Sequence, residues 1–476
     1  MNVCNRSTPG VNTDIESDTF DAADTGIVTR VDAVKKDIDV PLSIYDIRSS
    51  SARWRILLIA AFISILTPVT DTIILPALVA IRDDLPGSTP DTDAALVSVY
   101  MGSVGLCNLG WGPASDYFGR RRPLFLSLIL FLAATPGCLF APTASTLLAA
   151  RAAQGCVVGA TIAVTQAIVA DTFAPHERGT ALGLFFVPLL IGPILAPVIG
   201  GALTASFDWR SIFSFLAVAG AFVFMLVLQL PETHHYYSLK AWRNNVNNRE
   251  CVVIEESNIQ IPLGSACVPW APLFHLVDRE LTPFILLAAV QFACMFVTLT
   301  TLPSLCASPP LSLPPAIIGA TFLPIGFAML LGSVMGGRAS DRAAAAHPDR
   351  LSARLIPSLR GASLMIPGLI GFGISAKIQS LSGILISHVL VGLGQSIYQP
   401  GFFAFISSAR QSQAAAVAAS AMAASFAAAG IAISAAPPIA AAVAYDGLFY
   451  ILAACTLISL VIASFSLLRF STNNKT

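Results

Sequence analysis

The chain alternates between long apolar runs and short polar connections. A helix needs roughly 20 apolar residues to cross a bilayer, and twelve runs come close to or exceed that length. They lie at about 55–80, 94–114, 123–141, 146–170, 180–203, 211–230, 283–303, 314–336, 356–376, 381–406, 412–436 and 447–468. The pattern predicts an all-α integral membrane protein with twelve transmembrane helices.

Three polar segments divide these runs. Residues 1–54 carry repeated acids and no apolar periodicity, which predicts a disordered N-terminal tail. Residues 231–282 contain no run long enough to cross a membrane, so we expect a linker there. Residues 469–476 form a short C-terminal tail. The division leaves two six-helix halves, 55–230 and 283–468.

Composition agrees with this pattern. Hydrophobic residues make up 55% of the 476, charged residues make up 11%, and the mean hydropathy is +0.74. So little charge cannot cover a soluble surface. The nine cysteines are scattered without metal-ligand spacing, so we expect no metal site and no disulfide framework.

The basic residues predict the orientation. With both termini in the cytoplasm, the external loops hold only Arg82, Arg210 and Lys377, whereas 23 of the 27 Lys and Arg residues are cytoplasmic. This asymmetry satisfies the positive-inside rule. We therefore expect a multi-pass protein of the cell (plasma) membrane with both termini and the linker in the cytoplasm.

A short internal repeat supports two equivalent halves. The polar stretch after the second run places Gly112 four residues before Asp116, and the stretch after the eighth run repeats that spacing with Gly337 and Asp341. Basic residues accompany both stretches. Duplicated six-helix halves are typical of transporters that rock around a substrate site between the halves.

Four stretches resemble signatures of the major facilitator superfamily, and more narrowly of its fungal twelve-span drug:proton antiporters. The loop after span 2 has the glycine, acid and base spacing of the family in Gly112, Asp116, Gly119, Arg120 and Arg121. Span 4 has the Arg-x-x-Gln-Gly signature in Arg151, Gln154 and Gly155, and span 6 ends in Leu230-Pro231-Glu232-Thr233. The resemblance implies the major facilitator fold.

Span 5 carries the antiporter signature of the same family. Its members are Gly183, Gly192, Ala196, Pro197, Gly200 and Gly201, with Ala196 standing where the family has a glycine. Small residues four apart also form a face that admits close helix packing, so ordinary packing is the alternative interpretation. In the family this signature is typical of exporters, and it is the only sign of direction in the sequence.

The loop after span 2 has two interpretations. Its glycines permit a tight turn, and Asp116 beside Arg120 and Arg121 can form ion pairs that hold one conformation closed. Asp171, at the cytoplasmic end of span 4, is a candidate partner for these arginines. The hypothesis is a cytoplasmic latch, and the alternative is that the arginines only anchor the topology.

Two charged residues lie inside spans and predict a proton site. Asp71 is the only carboxylate well inside a span, and Arg151 is the only base there. Charges in a membrane span are costly and mark functional sites by default. We expect Asp71 to carry the proton, with Arg151 tuning it or facing an anionic substrate. A static buried pair is the alternative, and His388 in span 10 is the fallback proton site.

Together these features predict a proton-coupled exporter of a small organic compound, such as a secondary metabolite, an organic acid or a drug. No phosphate-binding loop of ATPases and no catalytic constellation is present in the sequence, so we expect no enzyme and no cofactor. The expected partners are substrate, protons and the lipid bilayer, with no nucleic acid, and the expected working unit is a monomer. The alternatives are an uptake symporter for a small organic nutrient and a non-transporting membrane sensor.

Overall fold

The computed structural model describes residues 48–89, 91–173, 175–234, 278–347, 350–409 and 414–473. Most of the expected N-terminal tail and of the expected linker lies outside the described residues. The described chain consists of helices joined by short connections, and it contains no strand within those ranges. This follows from the sequence, because a helix satisfies its own backbone hydrogen bonds where lipid offers no partner.

The helices follow one another with few interruptions. They are α1 Ser50–Ser64, α2 Leu66–Thr72, α3 Leu78–Asp84, α4 Thr92–Phe118, α5 Arg121–Leu139, α6 Ala144–Val158, α7 Ala160–Thr172, α8 Pro175–Ser206, α9 Arg210–Gln229, α10 Thr282–Ala307, α11 Pro315–Ala320, α12 Leu323–Ala346, α13 Leu355–Ala362, α14 Met365–Lys377, α15 Leu381–Ala409 and α16 Ala414–Asn473. Short 3₁₀ turns occupy Leu75–Ala77 and Leu351–Arg354.

These helices form eleven candidate membrane spans within the described ranges. The last one, Val417–Arg469, has 53 residues, far more than one crossing requires. Its backbone breaks at Ala444, where φ is 60° and ψ is 174°. This break divides it into spans 11 and 12, which is consistent with the expected twelve.

The connection between spans 2 and 3 is shorter than the sequence predicted. Gly112 and Asp116 belong to the last turns of α4, and only Gly119 and Arg120 lie between the two helices. The chain can turn this sharply because Gly119 has φ of 85°, which a residue without a Cβ adopts freely. The repeated stretch after span 8 is likewise helical, since α12 continues to Ala346.

Two further helix ends extend past the expected limits. The first helix begins at Ser50, inside the segment expected to be tail, because the Ser49 hydroxyl accepts a hydrogen bond from the Ala52 amide and caps it. The last helix continues to Asn473, beyond the expected end of span 12.

The two halves meet along spans 2, 5, 8 and 11. A Cβ at Gly201 in span 5 would lie 2.4 Å from the carbonyl oxygen of Pro315 in span 8. A Cβ at Gly430 in span 11 would lie 3.0 Å from the carbonyl oxygen of Ser98 in span 2. Both contacts lie at the end of the bundle where spans 1 and 2 are joined. We call this the Asp93 end, and we call the opposite end, where spans 2 and 3 are joined, the Arg120 end.

Candidate functional site

An ion-pair cluster surrounds the buried guanidinium of Arg120, with the side chain of Asp116 49% exposed. Arg120 donates from Nε to Asp171 at 2.7 Å, and its Nη1 donates to Asp116 and to the Ser115 hydroxyl. Ser115 and Asp116 come from the last turns of span 2 and Asp171 from the end of span 4, so one guanidinium ties two helix ends together. The structure thus joins the expected latch residues Asp116, Arg120 and Asp171, while their role as a latch stays a prediction.

The carboxylate of Glu232 holds the turn itself, and the sequence reasoning did not place it in the site. Its oxygens accept hydrogen bonds from the backbone amides of Arg120 at 2.9 Å and Arg121 at 3.2 Å. A Cβ at Gly119 would lie 2.7 Å from the same carboxylate. Both this lack of space and the positive φ therefore favour glycine at the position. The Arg48 guanidinium donates to the Glu232 carbonyl. The available signal was the Leu-Pro-Glu-Thr stretch at the end of span 6.

Electrostatics favour the charged form of Arg120. Burial would lower the pKa of Arg120, but the carboxylates of Asp171 and Asp116 outweigh it and raise that pKa. Burial, followed by the positive charge of Arg120, lowers the pKa of His234. Asp116, Arg120 and Asp171 belong to the first half of the chain, and Glu232 and His234 directly follow its last span.

A second cluster surrounds Arg151 inside the first half. Arg151 is completely buried, and its guanidinium lies 4.2 Å from the centre of the Tyr100 ring. Its Nη1 donates to the Thr70 carbonyl and to Gln154 Oε1, both at 3.2 Å. Gln154 in turn donates to the Thr135 hydroxyl at 3.0 Å. Spans 1, 2, 3 and 4 therefore meet around one guanidinium.

The backbone of span 1 is interrupted next to this cluster. Its second helix ends at Thr72, a 3₁₀ turn follows, and Pro76 in that turn has no amide hydrogen to donate. Two carbonyls of the second helix also accept side-chain donors: Tyr100 donates its hydroxyl to Thr67 at 3.1 Å, and Arg151 donates to Thr70. Side chains of spans 2 and 4 thus bind the backbone of span 1 beside its interruption.

Asp71 lies in this interrupted stretch with 4% of its surface exposed. Among the described residues no ion pair joins it to Arg151, so the structure does not show the direct pair that we considered. Asp71 Oδ1 and the Nε and Nη2 atoms of Arg151 are buried without a hydrogen-bond partner in the described chain. An acid and a base are thus buried in the same region of the first half, each with polar atoms that have no partner among the described residues.

The small residues of span 5 contact two different helices. A Cβ at Gly192 would lie 3.0 Å from Pro68, and one at Gly200 would lie 1.9 Å from the Ile73 carbonyl, so this face packs on span 1. Gly201 and the Pro197 carbonyl instead contact Gly319 in span 8. The signature therefore lies partly at the contact between the halves. Gly183 at the opposite end has open space around its Cβ position.

His388, the fallback proton site, is 1% exposed and lies between two aromatic rings. Its ring centre is 5.7 Å from that of Phe372 and 6.5 Å from that of Phe322. Neither ring nitrogen has a hydrogen-bond partner in the described chain. No group of three His, Cys, Asp or Glu side chains in the described ranges is placed to hold a metal ion.

The comparisons with known proteins all identify members of one transporter family. A family model described as Major Facilitator Superfamily matches residues 60–432. The MFS-type transporter oryF of Aspergillus oryzae is 27% identical, and the match covers 74% of both chains. The MFS antiporter QDR3 of Candida albicans is 35% identical over 38% of this chain, a match that spans 26% of QDR3. The multidrug transporter AQR1 of Candida glabrata is 28% identical over 52% of this chain and 44% of its own.

Solved structures share the fold. The xylose transporter XylE from E. coli, in a partially occluded inward-open conformation, superposes with a TM-score of 0.63 at 16% identity. That match covers 87% of this chain and 97% of XylE. The human organic anion transporter MFSD10 gives a TM-score of 0.62 at 18% identity, over 86% of this chain and 99% of its own.

Proposed function

Because the chain belongs to the Major Facilitator Superfamily, we propose that it exports a small organic compound and drives this export with protons. The observation that carries the proposal is the burial of two ionisable residues, Asp71 in span 1 and Arg151 in span 4, within the first half. The family moves its substrates by alternating access rather than by ATP hydrolysis, so a gradient must supply the energy.

Asp71 is the proposed proton carrier. A carboxylate inside a span is costly unless it is paired, hydrated or protonated. Opening the halves changes its access to water, and this change alters its affinity for a proton. Tyr100 holds Arg151 in place through its ring and anchors itself to the backbone of span 1.

Export is the proposed direction. The span 5 signature supports it, since its members contact both span 1 and the opposite half. The names of the relatives agree: besides QDR3 and AQR1, the Efflux pump radE of Floropilus chiversii is 24% identical over 72% of this chain and 66% of its own. An uptake symporter is the second candidate, because the D-xylose-proton symporter shares this fold at 18% identity.

The substrate class is proposed only broadly. Arg151 is completely buried beneath Tyr100, which argues against direct contact with an anionic substrate in this conformation. A drug, a secondary metabolite and an organic acid remain the candidate substrates. We further propose that the protein works as a monomer in the plasma membrane, with the Arg120 end facing the cytoplasm.

An untargeted mass-spectrometric comparison of the native host with and without this protein tests the proposal. We expect a compound to disappear from the medium and to accumulate in the cells that lack the protein. The Asp71→Asn variant should reproduce that result, and wild-type protein should reverse it. If cells that lack the protein instead fail to take up a nutrient from the medium, the protein is an importer.

A further inference from the structure

A buried carboxylate links the two halves at the Asp93 end. Asp93 lies in the first turn of span 2, and 6% of its surface is exposed. Arg82, from the end of span 1, donates to Asp93 Oδ2 at 2.9 Å. Ser304, from span 7 in the other half, donates to the same oxygen at 3.4 Å. The carboxylate therefore forms an ion pair within its own half and accepts a hydrogen bond from the other half.

Its surroundings make the charge costly. Asp93 Oδ1 is buried and accepts no hydrogen bond from any described residue. The other titratable groups near it are Asp83, which lies 3.6 Å from Arg82, and Tyr445 at the break between spans 11 and 12. A carboxylate of this kind stays ionised at little cost only while a positive partner compensates it, and otherwise it takes up a proton or gains water. Here that partner is Arg82.

The contact lies where the structure is closed. The approaches of Gly201 to Pro315 and of Gly430 to Ser98 lie at the same end of the bundle. Separation of the halves at this end would pull Ser304 away from Asp93 and admit water to the carboxylate. Closing the end again would remove that water and leave Arg82 as the main compensation.

We propose that Asp93 is a positioning residue of the transport cycle whose pairing with Arg82 sets how firmly the Asp93 end closes. Where Asp93 is ionised, loss of Arg82 leaves an uncompensated charge between the halves and favours the open state. Loss of the Asp93 charge removes that penalty, because Arg82 is partly exposed and can turn to solvent. The inference needs only the transporter fold and not the proposed direction or proton coupling.

Electron spin resonance distances between two labels test this without any substrate. The labels replace Phe207 and Ile378, which are exposed on opposite halves at this end, in a variant whose nine cysteines are changed to serine. At alkaline pH, where Asp93 is ionised, we expect Arg82→Gln to raise the ratio of long to short distances by about tenfold or more. The double variant Arg82→Gln/Asp93→Asn should return the ratio toward that of the parent protein.

Two further variants keep the test decisive. Arg210→Gln is the control, because Arg210 pairs at the same end with Asp84 and Asp208 of its own half and should leave the ratio unchanged. Ser304→Asp keeps Arg82 but sets a second carboxylate against Asp93, and it should also open this end. The inference is wrong if Arg82→Gln and Ser304→Asp leave the ratio unchanged, or if the double variant is as open as Arg82→Gln alone.

Discussion

The two halves of the chain use similar sequence at equivalent places but different chemistry. Span 1 reads Val69-Thr70-Asp71-Thr72, and span 7 reads Val297-Thr298-Leu299-Thr300. Both stretches are mostly buried and both precede a proline, but the second half has a leucine where the first has its buried acid. The helix architecture thus recurs without the charge.

Spans 4 and 10 differ in the same way. Gln154-Gly155 in span 4 corresponds to Gln395-Ser396 in span 10, and this alignment places Gly392 opposite Arg151. A Cβ at Gly392 would lie 2.6 Å from Ile325, so close helix packing occupies the space that a long side chain would need. Membrane charges are costly, and one half alone carries this pair.

The Arg120 end repeats the contrast. In the first half Arg120 is nearly buried among Asp116, Asp171 and Ser115. In the second half the corresponding acid, Asp341, pairs with Arg354 at 3.1 Å, but its side chain is 76% exposed. Exposed pairs contribute only about 0–1 kcal/mol. In these three comparisons the first half holds the buried charges and the second half has apolar or exposed residues at the matching places, so the proposed proton coupling rests on the first half.

The largest expected effect is that of Asp71→Asn. Proton and substrate sites in coupled systems interact by about 1–3 kcal/mol, so loss of the proton site should lower gradient-driven transport about 5–150-fold. The measurement is transport in cells at two external pH values. In the control variant Asp446→Asn, which removes an acid of the second half, transport should depend on pH as in wild type. An equal loss of transport in both variants would contradict the difference between the halves.

A methyl group at the contact between the halves should come next. Gly201→Ala places a Cβ against the Pro315 carbonyl in span 8, so closure of the Asp93 end should become less favourable by about 1–3 kcal/mol. Distances between labels on the two halves report this shift. Gly183→Ala, in the same helix with open space around it, should behave as wild type.

The Arg120 cluster is tested by a matched pair of variants. Asp116→Asn removes an acceptor of Arg120 and should lower transport on the order of tenfold, while the amount of protein at the membrane stays unchanged. Asp341→Asn makes the same change in the exposed pair of the second half and should have little effect. Full activity of Asp116→Asn would leave the arginines as topological anchors only.

Arg151→Lys separates stacking from charge. A desolvated guanidinium over an aromatic ring contributes about 2 kcal/mol, and an ammonium cannot stack on Tyr100 in the same way. Thermal unfolding in detergent should shift to lower temperature. Arg210→Lys is the control, because Arg210 lies 4.1 Å from the centre of the Trp209 ring but is partly exposed, and its shift should be smaller.

The smallest expected effect concerns pH at the Arg120 end. The pKa of His234 is lowered by burial and by Arg120, so protonation opposes the folded contacts. Its contribution to stability is therefore complete above the ordinary pKa of about 6.5 and is lost progressively as the pH falls from that value to the lowered pKa of the folded state. Unfolding temperatures at pH 7.5 and 5.5 should differ less in His234→Gln than in wild type. An unchanged difference would remove His234 from the cluster's pH response.

The apolar pattern located most of the fold, since each described span overlaps an expected run. It could not locate the end of span 2, because Pro113 and Asp116 resemble loop residues although α4 continues through them. Pairing across the chain was harder still. Asp171 could be chosen as a partner because it lies at the correct end of span 4. Glu232 lies 112 positions beyond Arg120, and the sequence marks it only as part of a family motif, without indicating its contact. The contact of Asp93 with Ser304, 211 positions apart, left no local pattern.

The central claim is that proton movement through Asp71 drives export. The most direct test uses liposomes that contain the purified protein and a pH-sensitive dye, to which the compound identified from the native host is added on one side. The account predicts proton flow opposite to the flow of the compound in wild-type protein and no coupled proton flow in Asp71→Asn. Protons that move in the same direction as the compound, or coupling that survives in Asp71→Asn, would contradict it.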